Sequence, residues 1–432
     1  MSTRYQGSGR AAIMPARPVS GASVNLPGTS STPGQPSVFS VVVATMVAQV
    51  ASIMGVAVFP VVAPQLATEM GVSPVWIGYQ VSLTYGSAML AAPLLSASIA
   101  RWGGCRATQV GLALSALGLA AALTSSLWAL AATSILFGTA LAILVPASAH
   151  LLFRFCPPQR RNLVFSLKQT GVPVGWTLMA LAAPPITVAF GWRWAILLVL
   201  AVVLVTLAAL EPRRARWDDD RNPQAAARQS ALAGLSLTWR HAGLRRLAAA
   251  SFFLSFVQLC LGSFAVTMLV KEAGYSLVAA GVMLSLVNVS GVAGRVLWGW
   301  YADHTGSGMR VLVKVSGLTT LCCVLTSFIA AGTPGAYTAL VFMVFGATAV
   351  GWNGVFMAEV ARCSPRGQVS VATSGAMVWN FAGILVGPSL FAATYGLVGS
   401  YALTFGALAL IAASGALLLA TGSAVRQNVA AH

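Results

Sequence analysis

Acidic residues are scarce in this 432-residue chain: 8 Asp and Glu stand against 25 Lys and Arg, and only 8% of the sequence is charged. A soluble surface normally needs about a quarter of its residues charged, so a water-exposed globular domain is excluded. The six cysteines (Cys105, Cys156, Cys260, Cys322, Cys323 and Cys363) have no metal-ligand spacing. Most lie in apolar runs or in loops assigned below to the cytoplasm, so they read as packing residues rather than disulfides or metal ligands. The four histidines (His150, His241, His304 and His432) form no H-E-x-x-H, and there is neither a partnered G-x-S-x-G nor a Walker loop. Enzyme chemistry, ATP-driven pumping, a resident metal and a cofactor are therefore not expected.

What the chain does have is apolar length: 57% of its residues are hydrophobic. A bilayer-crossing helix needs about 20 apolar residues, and no charge falls between Arg106 and Arg154, room for two helices and a turn at Thr124–Ser126. The same hairpin logic predicts an all-α integral membrane protein with twelve transmembrane helices at 38–66, 75–99, 107–125, 129–152, 163–187, 194–210, 247–270, 276–300, 315–332, 336–359, 370–393 and 398–421. The runs are continuous, not alternating, so transmembrane strands do not fit.

The net charge of +17 first suggests nucleic acid as a partner. Nucleic-acid binders gather Lys and Arg on a polar face, whereas here they punctuate the apolar runs, so none is expected. All basic residues except Arg193, Lys271, Lys168 and Arg295 fall on one side of the predicted membrane. By the positive-inside rule that side is cytoplasmic and holds both termini. The predicted organisation is a disordered tail at 1–37, a six-helix bundle at 38–210, a basic linker at 211–246, a second bundle at 247–421 and a tail at 422–432. The Ser/Gly/Pro-rich tail lacks acids, a weak transit-peptide trait, and its first apolar run starts too late for a cleaved signal peptide.

The two halves repeat. A shift of 208 lays Phe137-Gly138 on Phe345-Gly346, Arg154 on Arg362, Pro157 on Pro365 and Ser166 on Ser374. A shift of 203 lays Gly71 on Gly274, Ser73 on Ser276, Gly78 on Gly281 and Gly103 on Gly306. Parallel repeats imply a pseudo-two-fold axis along the membrane normal, with a binding site between the halves.

Gly299-Trp-Tyr-Ala-Asp303-His304-Thr-Gly306 follows the eighth span, and Ser96-Ala-Ser-Ile-Ala100-Arg101-Trp-Gly103 follows the second. With twelve spans, a repeat and a basic central linker, these segments resemble the major facilitator superfamily and its motif G-x-x-x-D-(R/K)-x-G-(R/K). In the first copy Ala100 replaces the acid, and in the second His304 replaces the base. The resemblance implies a transporter working by alternating access. Gly299, Asp303 and Gly306, with Arg101 and Gly103, are expected to gate it, Asp303 latching onto the start of the fifth span near Arg160 and Arg161 in an outward-facing state. Ala100 cannot reciprocate.

Ionisable groups inside spans are functional candidates. Lys168, seven residues past Arg161, either contacts an anion in the central cavity or snorkels to the surface. Arg295 contacts substrate, pairs with a neighbouring helix or snorkels. By the resemblance, the first and fourth helices of each half line the cavity, which adds Gln49, Gln258, Trp352 and Asn353, with Gln169, Tyr85, Asn288, Trp379 and Asn380 as further wall candidates. His150 reads as structural, and Glu359 as the i,i+3 partner of Arg362. No acid lies at mid-membrane, so the substrate is expected to be an organic or inorganic anion, moved by facilitation or by symport in which an acidic substrate carries the proton. Lys168-Gln-Thr-Gly171 is similar to bacterial cyanate/organic-anion facilitators. A transporter-like sensor and an exporter of neutral or drug-like compounds stay open. The expected setting is a bacterial inner membrane, and the expected assembly a monomer.

Overall fold

A run of apolar residues with few charges satisfies its backbone polar groups in a bilayer only by forming a helix. The computed structural model, which describes residues 37–71, 75–95, 98–224 and 232–430, is helical throughout its regular elements. The first half runs α1 (Val38–Met70), α2 (Val75–Leu95), α3 (Ser98–Trp102), α4 (Gly104–Ala122), α5 (Leu127–Phe155), α6 (Arg161–Gln169), α7 (Gly171–Phe190) and α8 (Trp192–Leu210). The linker contributes α9 (Arg214–Trp217) and α10 (Ala233–Arg240). The second half runs α11 (Ala242–Lys271), α12 (Leu277–Thr305), α13 (Gly308–Thr326), α14 (Gly335–Ala349), α15 (Asn353–Cys363), α16 (Val369–Val398) and α17 (Tyr401–Ala430). Among the described residues, eleven helical stretches are long and apolar enough to cross a membrane, and α2 adds a shorter apolar stretch, Ser82–Leu95. The tail predicted as disordered lies, up to residue 36, outside the described residues.

Three features depart from the sequence reading. The segment at 211–246 is not a plain loop: it carries α9 and α10, and α11 already begins at Ala242. The tail at 422–432 is largely a continuation of α17, which runs to Ala430. The fifth and tenth spans are each broken, the fifth between α6 and α7 at Thr170, the tenth between α14 and α15 at residues 350–352. Averaged over a whole span, hydropathy does not register such breaks, because each stretch as a whole remains apolar enough to cross a membrane.

Glycines set how closely helices approach, and they do so at equivalent places in the two halves. A Cβ on Gly138 of α5 would lie 2.3 Å from the Thr84 carbonyl oxygen of α2, and one on Gly346 of α14 would lie 2.3 Å from the Val287 carbonyl oxygen of α12. Gly138 and Gly346 are the pair matched by the 208 shift, and Thr84 and Val287 are related by the 203 shift. Without a solvent-driven hydrophobic force between helices, such backbone contact is a main source of association in a bilayer. The outer ends repeat as well. Glu69, at the end of α1, accepts from the Trp192 indole at 2.6 Å and from Arg193 at the start of α8. Glu272, its counterpart after α11, accepts from Ser400 Oγ at 3.0 Å and the Ala402 amide at 2.8 Å at the start of α17.

The halves meet where α2 and α5 pack on α16, and where α6 packs on α12 and α15. The contacts of α6 lie toward the end of the bundle that carries the linker, and they bring together most of the residues of interest.

Candidate functional site

α6 is a nine-residue helix between two interruptions, the turn at Pro158–Arg160 and the break at Thr170. Its first turn exposes backbone amides without intrahelical partners. Asp303 of α12 satisfies them: one carboxylate oxygen accepts from the Asn162 amide (3.1 Å) and side chain (2.8 Å), and the other accepts from the Leu163 amide (2.9 Å). The carboxylate is thus held by amides at a positive helix end. Neither Arg160 nor Arg161, at the start of the helix, pairs with it. Arg161 turns away, stacking over the Phe153 ring at 3.8 Å and donating to the Phe153 carbonyl at 3.1 Å. Gly306 closes α12 in the left-handed conformation, φ +65°, a role that favours glycine.

One helical turn on, Ser166 is clamped between two glycines of the other half. A Cβ on Gly299 would lie 2.5 Å from Ser166 Oγ, and one on Gly354 of α15 would lie 2.2 Å from Ser166 Cα. Sequence reasoning found Gly299 through its motif and missed Gly354. The ungapped run 336–359 hid the fact that Gly354 opens a new helix against α6.

At the far end of α6 sits Arg295, 2% exposed. Its Nε donates to the Val350 carbonyl at 3.1 Å and its Nη1 to the Gln169 carbonyl. These two carbonyls lie at the C-terminal breaks of α14 and α6, where backbone acceptors lack partners and a cation is favoured. Arg295 therefore ties both broken spans together and does not reach the surface. Around the second break, Gln258 Oε1 accepts from Trp352 Nε1 and Asn353 Nδ2, each at 3.1 Å. Trp352 is fully buried and packs on Phe356 at 5.2 Å.

Lys168 is 4% exposed, which excludes the snorkelling alternative. Its ammonium donates to Gln169 Oε1 at 3.3 Å and reaches a small void between α1, α4, α5 and α6 that also meets Thr45, Gln49, Ser52, Thr108 and Ser148. The void encloses about 10 Å³, near the minimum for one water. Gln49 Oε1 and Ser52 Oγ beside it have no hydrogen-bond partner among the described residues. Thr108 and Ser148 were not among the expected residues, although both are small polar groups inside predicted spans.

The remaining candidates lie apart from this cluster. Asn288 is exposed and bonds its own helix at Leu284, 3.0 Å. Trp379 stacks on Trp239 of the linker helix α10, with ring centres 6.3 Å apart. Asn380 is buried and its carbonyl accepts from Ser255 at 2.9 Å. Tyr85 meets Phe381 across the two halves at 6.0 Å.

Beside the first half's copy of the motif, a linker aspartate caps the start of α4. Gly103, at φ +87°, leaves room for Asp218, whose Cγ lies 2.3 Å from where a Cβ would stand. Asp218 accepts from the amides of Cys105 (2.7 Å) and Arg106 (2.8 Å) at the start of α4. Burial pushes its carboxyl above the ordinary carboxylate range, opposed by these two amide bonds. In the second half Glu359 lies against Gly308 at the start of α13 and accepts from Arg362 Nε at 3.0 Å. The residue at the equivalent position of α5 is Leu151. Asp220 binds His150 at 2.8 Å and Arg154 at 2.9 Å.

Comparison with known proteins agrees with this architecture. The model of the Major Facilitator Superfamily matches residues 45–388. An uncharacterized MFS-type transporter of Mycobacterium tuberculosis is 31% identical over 184 residues, 40% of this chain and 39% of the relative's length. The chain thus spans about two fifths of that relative. A gallate transporter of Pseudomonas putida is 25% identical over 303 residues, 62% of this chain and 66% of that protein. Among solved structures, the human organic anion transporter MFSD10 superposes with a TM-score of 0.74 at 16% identity, over 89% of this chain and 100% of that one. The E. coli fucose:proton symporter gives 0.68 at 14%, over 89% and 98%. At these identities the likeness is one of fold.

Proposed function

The chain belongs to the major facilitator superfamily, as a multi-pass membrane protein of a transporter family, and from that premise we propose that it moves a small anion by alternating access. The observation that carries this reading is Lys168. Its ammonium is buried with one amide oxygen at 3.3 Å, and none of the eight carboxylates pairs with it. Glu69, Glu211, Asp219, Asp220 and Glu359 pair with other cations, while Asp218, Glu272 and Asp303 serve helix starts. A buried charge without a counter-ion is costly. An incoming carboxylate or inorganic anion would offset that cost as the halves rearrange. The relative named as a gallate transporter points to the same charge class.

The conformation is proposed to be the outward-facing one. Asp303, Ser166 and Arg295 close the linker end, which the positive-inside rule puts in the cytoplasm. Asp303 acts as the latch, and Gly299 with Gly354 as its seat. Symport with a proton fits a substrate that carries the proton itself, because no unpaired mid-membrane acid is available. A bacterial inner membrane and a monomeric state complete the proposal.

Uptake of labelled small carboxylates into proteoliposomes, with and without a pH gradient, tests it. Anion uptake that falls at least about tenfold in Lys168→Ala, with uptake partly kept in Lys168→Arg, is the expected result. Equal anion uptake by wild type and Lys168→Ala would remove Lys168 as the ligand. Accumulation of neutral compounds alone would overturn the anion class.

A further inference from the structure

Outside the membrane-spanning cluster, the linker end holds an open cavity of about 470 Å³ lined by Arg101, Trp102, Arg106, Arg214, Arg221 and Pro223. Four arginines from two separate segments, the α3–α4 corner and the linker, thus line it. Among the described residues, only one carboxylate pairs with any of their side chains: Glu211 lies 3.8 Å from Arg106 and 3.1 Å from Arg214. Asp218 stands behind the cavity with both oxygens occupied by the Cys105 and Arg106 amides. The side chains of Arg101 and Arg221 have no hydrogen-bond or ion-pair partner among the described residues. The arrangement is not a chance meeting of two loose loops. The Asn222 amide donates to the Ala100 carbonyl at 2.9 Å, and Trp217 is buried beneath. The backbone therefore holds like charges together, at an electrostatic cost that an anion would relieve.

We propose that this arginine cradle is a binding site for a phosphate-bearing anion. A planar guanidinium matches two phosphate oxygens at once, and several such forks around one cavity give geometric selectivity that a diffuse positive field lacks. The volume is within the usual range for a small-molecule site, about 300–1,000 Å³. Its place at the start of α4, beside Trp102, is where a headgroup of an anionic lipid would lie, since basic pockets at helix ends take such headgroups. A soluble phosphate compound offers the same chemistry. In either form the ligand would tie the linker to the α3–α4 corner, adding to the Asp218 cap.

The test uses the purified full chain with two probes at fixed ionic strength. Pyrophosphate is titrated against thermal unfolding in detergent, and nanodiscs of phosphatidylglycerol are compared with phosphatidylcholine nanodiscs. Arg101→Gln/Arg221→Gln removes the two unpaired forks, and Arg101→Lys/Arg221→Lys keeps the charge but not the fork. The expected result is a saturable rise in melting temperature with pyrophosphate, in phosphatidylglycerol, or in both, with apparent affinity falling at least about tenfold in the Gln pair and less in the Lys pair. A response to pyrophosphate alone assigns a soluble ligand, and a response to phosphatidylglycerol alone assigns a lipid. An equal response to sodium chloride, or a response unchanged in both variant pairs, overturns the site.

Discussion

Arg295 reaches from α12 into the opposite half and donates to the carbonyl of Gln169, while its Nε donates to Val350 in its own half. One side chain thereby serves the frayed ends of two broken spans. Replacing it with Leu removes the Arg295 donor from the Gln169 carbonyl and leaves the Val350 carbonyl only its 3.4 Å contact with Asn353 Nδ2, at about 1–3 kcal/mol for an unpaired buried acceptor. Arg295→Leu is expected to lower transport at least about tenfold and to lower the melting temperature, with Arg295→Lys in between. Proteoliposome uptake and a thermal unfolding curve on the same preparations check both.

Asp303→Asn keeps one acceptor oxygen but loses the charge and one of the two amide acceptors at the start of α6. The loss is about 1–3 kcal/mol, and each 1.4 kcal/mol is a tenfold shift between conformations. Spin labels at the exposed positions Gln159 and Arg310, one in each half, are expected to show a broader and longer distance distribution in Asp303→Asn. An unaltered distribution would count against the latch.

Gly354→Ala puts a methyl group 2.2 Å from Ser166 Cα, so backbone must move. Overpacking of this kind costs about 1–3 kcal/mol, and it is paid only while the linker end is closed. The variant is expected to favour the open linker end in the same distance measurement. Gly317→Ala, at a position with nothing within 4 Å, is expected to behave as wild type.

At the other end, Arg193 beside Glu69, helped by the Trp192 indole, holds the Glu69 carboxyl below its ordinary value of 4.5. A depressed acid stabilises the fold above its unfolded pKa, and that contribution fades as pH falls through the folded value. The melting temperature is expected to drop as pH is lowered from about 5 toward 3, less steeply in Glu69→Gln. Because the pair is exposed, the difference should be small and should shrink further in high salt.

Much of the candidate site could be read in the sequence. Asp303 and Gly299 stand in a motif, Glu359 sits three residues from Arg362, and Lys168 and Arg295 are cations in apolar surroundings. The partners were less legible. Asp303 was expected to meet the positive start of the fifth span, with Arg160 and Arg161 nearby; it meets that start, through the amides of Asn162 and Leu163 and not through either arginine. Trp379 was expected on the cavity wall and stacks on the linker. Gly354 and Asp218 carried no local signal, because a glycine's clearance and a carboxylate's partner depend on chain 100 or more residues away.

What the sequence determined by itself is whatever depends on local transfer free energy and on repetition: helices that cross a bilayer, two related halves, and a basic side. Those properties add up residue by residue along the chain. Only the tertiary structure decided where the fifth and tenth spans break, that Lys168 turns into the first half rather than to the surface, and that a linker aspartate caps the start of α4. Each of these is settled by which unpaired backbone or charged group lies within about 3 Å of another, and that distance exists only once both halves are packed.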